Sequence, residues 1–167
     1  SAWWRIHDFP VILSCTSAFS MPATFAGATE SIRHILGDNG VTTVGLTMFD
    51  ASGLSLKNRV SSHTLVDVLR LSATQDQNRA ILDDLPVSGG SGTLSNRFYD
   101  GSLARGWVRA KTGTLSSASS LAGIVVTRDG RVLVFAFIIN GEEPSAARPV
   151  LDALATSLQA CGCQPAH

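Results

Sequence analysis

The fold is decided near the carboxyl end, where residues 107–139 read WVRAKTGTLSSASSLAGIVVTRDGRVLVFAFII. Three runs in this stretch, 107–115, 121–127 and 131–139, carry the β-branched and aromatic residues that favour strands. The Arg-Asp-Gly sequence at 128–130 is a tight-turn signal between the second run and the third. The stretch therefore predicts an antiparallel meander of three strands.

A helix is predicted after the meander. Pro144 suits the first turn of a helix, and Gly162 marks its end. The apolar positions fall on one face at helical spacing: Val150, Leu151, Leu154 and Leu158. A helix folded onto an antiparallel sheet gives an α+β fold.

Two further helices are predicted in the first half of the chain. One opens at Thr24 or Ala28 and closes at the Asp-Asn-Gly turn of residues 38–40. The other follows Ser62, which lies just before an apolar run with amphipathic spacing. Between them, the β-rich residues 41–49 predict a strand.

The segment before the meander holds a short helix and a glycine-rich loop. The helix is predicted over residues 75–82 and is ended by Pro86. The loop, SGGSGTL at residues 88–94, is flanked by apolar residues, so we expect it to be ordered within one domain. It lacks the Gly-Lys-Ser/Thr ending of a phosphate-binding loop, which argues against a nucleotide site.

The two ends of the chain carry little structural signal. Residues 1–21 show no sustained period and are left as an unassigned segment, residues 22–160 are predicted to form the folded domain, and residues 161–167 a tail. No cationic region leads into a cleavage site, so no signal peptide is predicted within this chain.

Composition excludes several classes of function. Thirteen basic residues balance thirteen acidic ones, so no net field favours nucleic acid, and a hydrophobic share of 44% suffices for a buried core. The apolar runs are far shorter than the ~20 residues of a membrane span.

Neither a cofactor nor a metal site is predicted. The cysteines, whose spacing is unlike that of a zinc site, are expected to be free thiols or one local bridge: Cys15, Cys161 and Cys163. The scattered histidines are expected to be solvated or core side chains: His7, His34, His63 and His167.

Lys111 is the strongest candidate for a binding residue. It is one of only two lysines, and it lies on a predicted strand beside the hydroxyls of Thr112 and Thr114, a donor-rich group suited to a carboxylate. Gly113 has no side chain, so a ligand backbone has room to pair with the strand. Because strand neighbours alternate, Lys111 and Thr112 must both reach the open edge. The alternative is a surface lysine that blunts an exposed edge.

Three ordered pieces of the sequence carry a family resemblance. They are DASGLS at 50–55 with Asn58, LPVSG at 85–89 leading to GTL at 92–94, and RAKTGTL at 109–115 followed by a hairpin. The last piece resembles the Lys-Thr-Gly strand of serine penicillin-binding enzymes. Together the pieces resemble the peptidase S13 family, the penicillin-binding-protein-4-type D-alanyl-D-alanine carboxypeptidases and endopeptidases. The resemblance covers roughly residues 22–158 and implies part of a penicillin-binding-protein or β-lactamase-like transpeptidase fold.

The resemblance implies acyl transfer by three motifs. A Ser-x-x-Lys element supplies the nucleophile and its base, a Ser-x-Asn element assists proton transfer, and Lys-Thr-Gly lines the opposite wall. Carried over, Lys111 binds the terminal carboxylate of a peptidoglycan stem peptide or a β-lactam, and Thr112 and Thr114 add hydroxyl donors. The N–H of Thr114 forms one arm of the oxyanion hole, where loss of a donor costs ~100 to 1000-fold in rate.

Two of the three motifs are absent from this chain. The residues three before the two lysines are Leu54 and Val108, so no Ser-x-x-Lys exists, and no asparagine has a serine two residues before it. No catalytic set is therefore complete. Ser55 with Lys57 is a weaker alternative for a serine-lysine pair. We expect the chain to begin at a break in the family's pattern, namely a truncation, a pseudogene product or a frame disruption that rejoins near Pro22.

The sequence leaves three functional hypotheses. The first is the C-terminal part of a D-alanyl-D-alanine carboxypeptidase, inactive alone, with the cell envelope as the location of the full-length family. The second is a non-catalytic module that binds D-Ala-ended peptides or β-lactams. The third is a remnant without function. No oligomeric state is predicted.

Overall fold

The computed structural model describes residues 24–161, which divide between two compact units, one ending at Val68 and the other beginning at Leu69. The helices are α1 (Phe25–Asp38), α2 (Ser62–Thr74), α3 (Ala80–Asp83) and α4 (Pro144–Ala160), with short 3₁₀ turns at Asp76–Asn78 and Gly92–Leu94. The strands are β1 (Val108–Leu115), β2 (Ala118–Val126) and β3 (Val132–Asn140). The boundary between the units falls within α2. Among the helices of residues 24–161, none combines the length and apolarity that a membrane crossing requires.

The first predicted helix is confirmed as α1. Thr24 caps it, because its hydroxyl oxygen accepts a hydrogen bond from the backbone N–H of Gly27 at 3.1 Å. The helix ends at Asp38, and Gly40 adopts φ +72°, a left-handed conformation that glycine allows without strain. The helix predicted after Ser62 is confirmed as α2, and Ser61 caps it by accepting from the N–H of Thr64.

The prediction of a strand at residues 41–49 is wrong. This segment is a loop whose one ladder contact is the bridge between Thr47 and Arg59. The backbone of Thr42 bonds to side chains of α2 instead, since its N–H donates to Asp67 and its carbonyl accepts from Thr64. Gly45, at φ +76°, turns the chain within the segment. The residue composition of the segment favours a strand. The backbone of Thr42, however, forms hydrogen bonds with side chains of α2 and not with a neighbouring strand.

The short helix predicted at residues 75–82 is present in two pieces, the 3₁₀ turn Asp76–Asn78 and α3. The loop after Pro86 is ordered as expected, because the N–H of Gly89 donates to the carbonyl of Leu94 at 2.9 Å. Leu94 is fully buried and anchors the loop in the core of the second unit.

The antiparallel meander is confirmed. The sheet order is β1-β2-β3, with Thr112 opposite Leu121 and Leu121 opposite Phe137. The turn between β2 and β3 includes Gly130 at φ +80°, as the Arg-Asp-Gly sequence predicted. Together with the helices, this sheet gives the predicted α+β fold.

Helix α4 packs a different set of side chains from the predicted one. The buried positions repeat every four residues: Ala147, Leu151, Ala155 and Gln159. Leu151 is 0% exposed, whereas the predicted core residues Val150 and Leu154 are 50% and 41% exposed. Small alanines let the helix approach the sheet closely, so the buried stripe follows Ala and Leu rather than the largest apolar residues.

In the second unit, truncation of a side chain should lower the free energy of unfolding more when that side chain is more deeply buried. Leu151→Ala should lower the free energy of unfolding by about 2–5 kcal/mol, because it leaves a cavity in a fully packed site. Leu154→Ala, the same change one turn further along α4 at a partly exposed position, should cost less than about 1.5 kcal/mol. Urea denaturation of the two variants measures the difference, and equal losses would contradict the assigned helix face.

Candidate functional site

The outer edge of β1 is paired along only part of its length. The N–H of Ser88 donates to the carbonyl of Val108, and the N–H of Ala110 donates to the carbonyl of Pro86, both at 2.9 Å. Proline has no N–H to return to the carbonyl of Ala110. The chain before Pro86 comes from α3 and is not extended, so the pairing stops at Ala110.

Beyond Ala110, the edge of β1 faces away from the rest of the sheet. In an antiparallel strand, alternate residues direct their N–H and carbonyl groups to the same side. Since Ala110 points away from β2, Thr112 and Thr114 do so as well. Among residues 24–161, no other backbone group outside the sheet bonds to these two residues. The result is an open edge, defined here as the outward backbone groups of Thr112 and Thr114.

The side chain of Lys111 reaches this open edge. Its Nζ donates to the carbonyl oxygen of Thr112 at 2.9 Å, and that oxygen is one of the outward groups. The lysine is half-buried, and its burial lowers the pKa of the ammonium below the usual 10.5. A carboxylate that approaches the edge therefore meets a partly desolvated cation, which strengthens a charge-assisted hydrogen bond.

The hydroxyl of Thr112 points elsewhere. Thr112 lies opposite Leu121 and shares its buried face, and its Oγ1 donates to Oγ1 of Thr93 at 3.0 Å. The structure thus brings the Lys111 ammonium and the Thr112 backbone to the edge, while the Thr112 hydroxyl fastens β1 to the Gly92–Leu94 turn. Thr93 lies 19 residues before Thr112, and no periodic pattern in the sequence indicates this pairing.

Gly113 leaves room for the side chain of its cross-strand neighbour. It pairs with Ser120 on β2, and a side chain at residue 113 would meet the hydroxyl of Ser120. The space above Gly113, which the sequence suggested a ligand would use, is thus shared with this serine. Thr114 is half-buried and pairs with Ser119.

The DASGLS segment forms a turn around one carboxylate. Asp50 accepts hydrogen bonds from the backbone N–H groups of Gly53 and Ser55, each at 2.7 Å, and from the side chains of Ser52 and Asn58. Burial acts to raise the pKa of Asp50, but these hydrogen bonds together hold it below 3.8. The segment is therefore a turn closed around the Asp50 carboxylate.

The alternative pair of Ser55 and Lys57 lacks the arrangement of a nucleophile and its base. The hydroxyl of Ser55 accepts from the backbone N–H of Lys57 at 3.3 Å. The ammonium of Lys57 lies 5.5 Å from the centroid of the Phe49 ring, a cation–π contact.

The remaining candidates from the sequence are partly outside the described residues. His7 and His167 lie there, as do residues 1–21, Cys15 and Cys163. Cys161 is disulfide-bonded. Within residues 24–161 no three histidine, cysteine or acidic side chains form a group able to hold a metal ion.

Comparison with known proteins identifies the family. The model of the D-Ala-D-Ala carboxypeptidase 3 (S13) family matches residues 10–161. This match covers most of the sequence, so the chain belongs to the D-Ala-D-Ala carboxypeptidase 3 (S13) family. The resemblance drawn from the Lys-Thr-Gly strand and the two upstream pieces is thereby confirmed.

Two curated relatives and one solved structure illustrate the likeness. The chain is 46% identical over 151 residues to carboxypeptidase DacB of Mycolicibacterium smegmatis, which covers 87% of this chain and 33% of the relative. It is 38% identical over 140 residues to the D-alanyl-D-alanine carboxypeptidase of Actinomadura sp., covering 81% and 26%. The crystal structure of penicillin binding protein 4 from Haemophilus influenzae, complexed with a β-lactam, superposes with a TM-score of 0.76 at 27% identity, covering 87% and 36%.

The chain matches only part of each relative. The chain spans about a quarter to a third of the length of the curated relatives it matches. The structural match confirms that the helices and the antiparallel sheet form part of a penicillin-binding-protein fold.

Proposed function

We propose that this chain supplies the carboxylate-binding wall of a serine-type D-alanyl-D-alanine carboxypeptidase that acts on peptidoglycan stem peptides in the cell envelope. The observation that carries the proposal is the Lys111 ammonium at the open edge of β1. Family membership and relatives named as D-alanyl-D-alanine carboxypeptidases support the same substrate class.

The open edge offers both parts of a peptide-binding site. An extended stem peptide pairs with the outward N–H and carbonyl groups of Thr112 and Thr114 as an added strand. The carbonyl of Thr112 has two lone pairs, so it can accept from the peptide while it accepts from Lys111. The terminal carboxylate of the peptide then lies within reach of the ammonium.

Acyl transfer needs a further group that this chain lacks. In the proposed role, the N–H of Thr114 stabilises the oxyanion that develops when a serine attacks the scissile carbonyl. Neither Ser-x-x-Lys nor Ser-x-Asn occurs in the 167 residues, so the chain alone binds without cleaving. The same absence favours a second candidate, a non-catalytic module that recognises D-Ala-ended peptides or β-lactams through the same edge.

Replacing each lysine in turn distinguishes a specific contact between Lys111 and the peptide carboxylate from a general effect of positive charge. Lys111→Ala should weaken binding of N-acetyl-D-Ala-D-Ala by about 10- to 100-fold, since a hydrogen bond to a charged group is lost. Lys57→Ala removes the same charge near Phe49 and should leave the affinity unchanged. Calorimetric titration of both variants gives the comparison. Equal affinities for Lys111→Ala and the parent chain would contradict the role of Lys111 in binding the carboxylate. Covalent labelling of the chain by a fluorescent penicillin would show that it does contain a nucleophile.

The affinity for the peptide should also depend on pH through Lys111. Burial lowers the pKa of its ammonium below 10.5, so the charge that holds the carboxylate is lost as pH rises through that lowered value. The dissociation constant should therefore increase at a pH below 10.5, while the residual binding of Lys111→Ala shows no such step. A flat profile for the parent chain up to pH 10.5 would contradict the role of the ammonium.

A further inference from the structure

Strand β3 lies at the other margin of the sheet and has an unpaired side of its own. The sheet order β1-β2-β3 leaves one side of β3 without a neighbouring strand. Ala110 points its backbone groups away from β2, so Gly123, which lies opposite Ala110, points its own groups towards β3. The partner of Gly123 on β3 is Phe135, which therefore pairs inward. The outward backbone groups belong to the residues that alternate with it: Val132, Val134, Ala136, Ile138 and Asn140.

These outward backbone groups are called the β3 edge here. Across residues 24–161, no backbone group outside the sheet bonds to it. The segment 132–140 contains neither a charged residue nor a proline, the residues that commonly keep an edge strand from pairing with another chain. Val132 is 58% exposed. The side chains of the outward residues lie on the sheet face away from the core, because the residues between them pack against it: Leu133, Phe135, Phe137 and Ile139. An uncharged apolar edge of this length favours the addition of another strand.

The β3 edge is complementary to itself when two copies of the chain lie antiparallel. With a two-fold axis at Ala136, the middle residue of β3, all nine residues of the strand overlap with those of the second copy. Val134 then lies opposite Ile138 of the second copy, and two β-branched side chains on one face form a favourable cross-strand pair. The outward N–H and carbonyl groups of one copy meet those of the other and continue the antiparallel ladder.

The charges that flank β3 favour the same arrangement. Arg128 and Arg131 precede the strand, and Glu142 and Glu143 follow it. In the two-fold register, residue 131 lies opposite residue 141, so the arginines of one copy meet the glutamates of the other at both ends of the ladder. Asp129 pairs with Arg131 at 3.3 Å, which still leaves the turn with an excess of positive charge. A parallel arrangement would instead bring arginine to arginine and glutamate to glutamate.

We propose that two copies of this chain associate through the β3 edge, antiparallel about Ala136, to form one continuous six-stranded sheet. The pairing uses the β3 edge of both copies, so it closes as a dimer and does not extend further. The open edge of β1 lies at each outer end of the joined sheet and stays accessible. The inference therefore goes beyond the proposed function and does not rest on it.

Cross-linking at the two-fold axis tests the register. Ala136→Cys places two cysteines opposite each other, with a Cα separation of about 5.5 Å that a disulfide can bridge. Ile138→Cys is the matched control on the same edge and face, because its two cysteines lie about 14 Å apart, beyond the reach of a disulfide. After mild oxidation, non-reducing electrophoresis should show a covalent dimer for Ala136→Cys and only the level of the parent chain for Ile138→Cys. The parent chain gives the background from the native cysteines, Cys15, Cys161 and Cys163.

Sedimentation velocity of chains without added cysteines tests the charge pairing. The parent chain should shift from monomer to dimer over about 1–100 µM, as expected for an interface of modest size. Arg131→Glu should raise the dissociation constant of the dimer about tenfold, because two symmetric attractions become repulsions. Adding Glu142→Arg to that variant should restore most of the loss. Lys111→Ala should sediment like the parent chain, so self-association and peptide binding fail separately.

Several results would overturn the proposal. A parent chain that stays monomeric up to about 100 µM would leave the β3 edge to another segment or partner. Equal cross-linking of the two cysteine variants would contradict the two-fold register. Failure of Glu142→Arg to compensate for Arg131→Glu would contradict the charge pairing, and species larger than a dimer would contradict the closed arrangement.

Discussion

The outer edge of β1 is paired only as far as Ala110, and the proposed binding site depends on that limit. Pro86 accepts a hydrogen bond from Ala110 but has no N–H to return, and the two residues before it, Asp84 and Leu85, form the turn that follows α3. Had an extended segment continued the pairing, it would have occupied the backbone groups of Thr112 and Thr114. Pro86 and the turn before it therefore set where the edge is supported and where it is open.

Contacts on the inner side of β1 hold the open edge in a defined position. The Thr112 hydroxyl is fastened to Thr93, and Leu121 opposite Thr112 is fully buried against the core. Gly123 brings β1 and β2 together, because a side chain there would come within 2.6 Å of the Cα of Ala110. With its inner side held in this way, the strand can add a peptide without a large change in its own conformation.

The sequence predicted the second unit better than the first. The meander was predictable because its strands are adjacent in the chain and Arg-Asp-Gly specifies the turn between two of them. The strand expected at residues 41–49 failed because its backbone partners are side chains of α2, which no local pattern reveals. The face of α4 was partly missed for a related reason, since close packing favoured Ala147 and Ala155 over larger side chains.

For the candidate site, the sequence singled out Lys111, Thr112, Gly113 and Thr114, and their binding role stays a prediction; it did not show how their side chains and backbone groups are placed. Lys111 stood out because lysines are rare in this chain, and the family resemblance supplied its expected role. The contact between Thr93 and Thr112 depends on tertiary packing, and so does the second role of Pro86, which the sequence identified only as the end of a helix.

Amide hydrogen exchange at the edge of β1 tests the central claim most directly. With a saturating acetylated peptide that ends in D-Ala-D-Ala, the amides of Thr112 and Thr114 should exchange more slowly, because they gain hydrogen bonds to the added strand. The amide of Ala110, already bonded to Pro86, should be unchanged and serves as the internal reference. Unaltered exchange at Thr112 and Thr114 in the presence of the peptide would contradict the account.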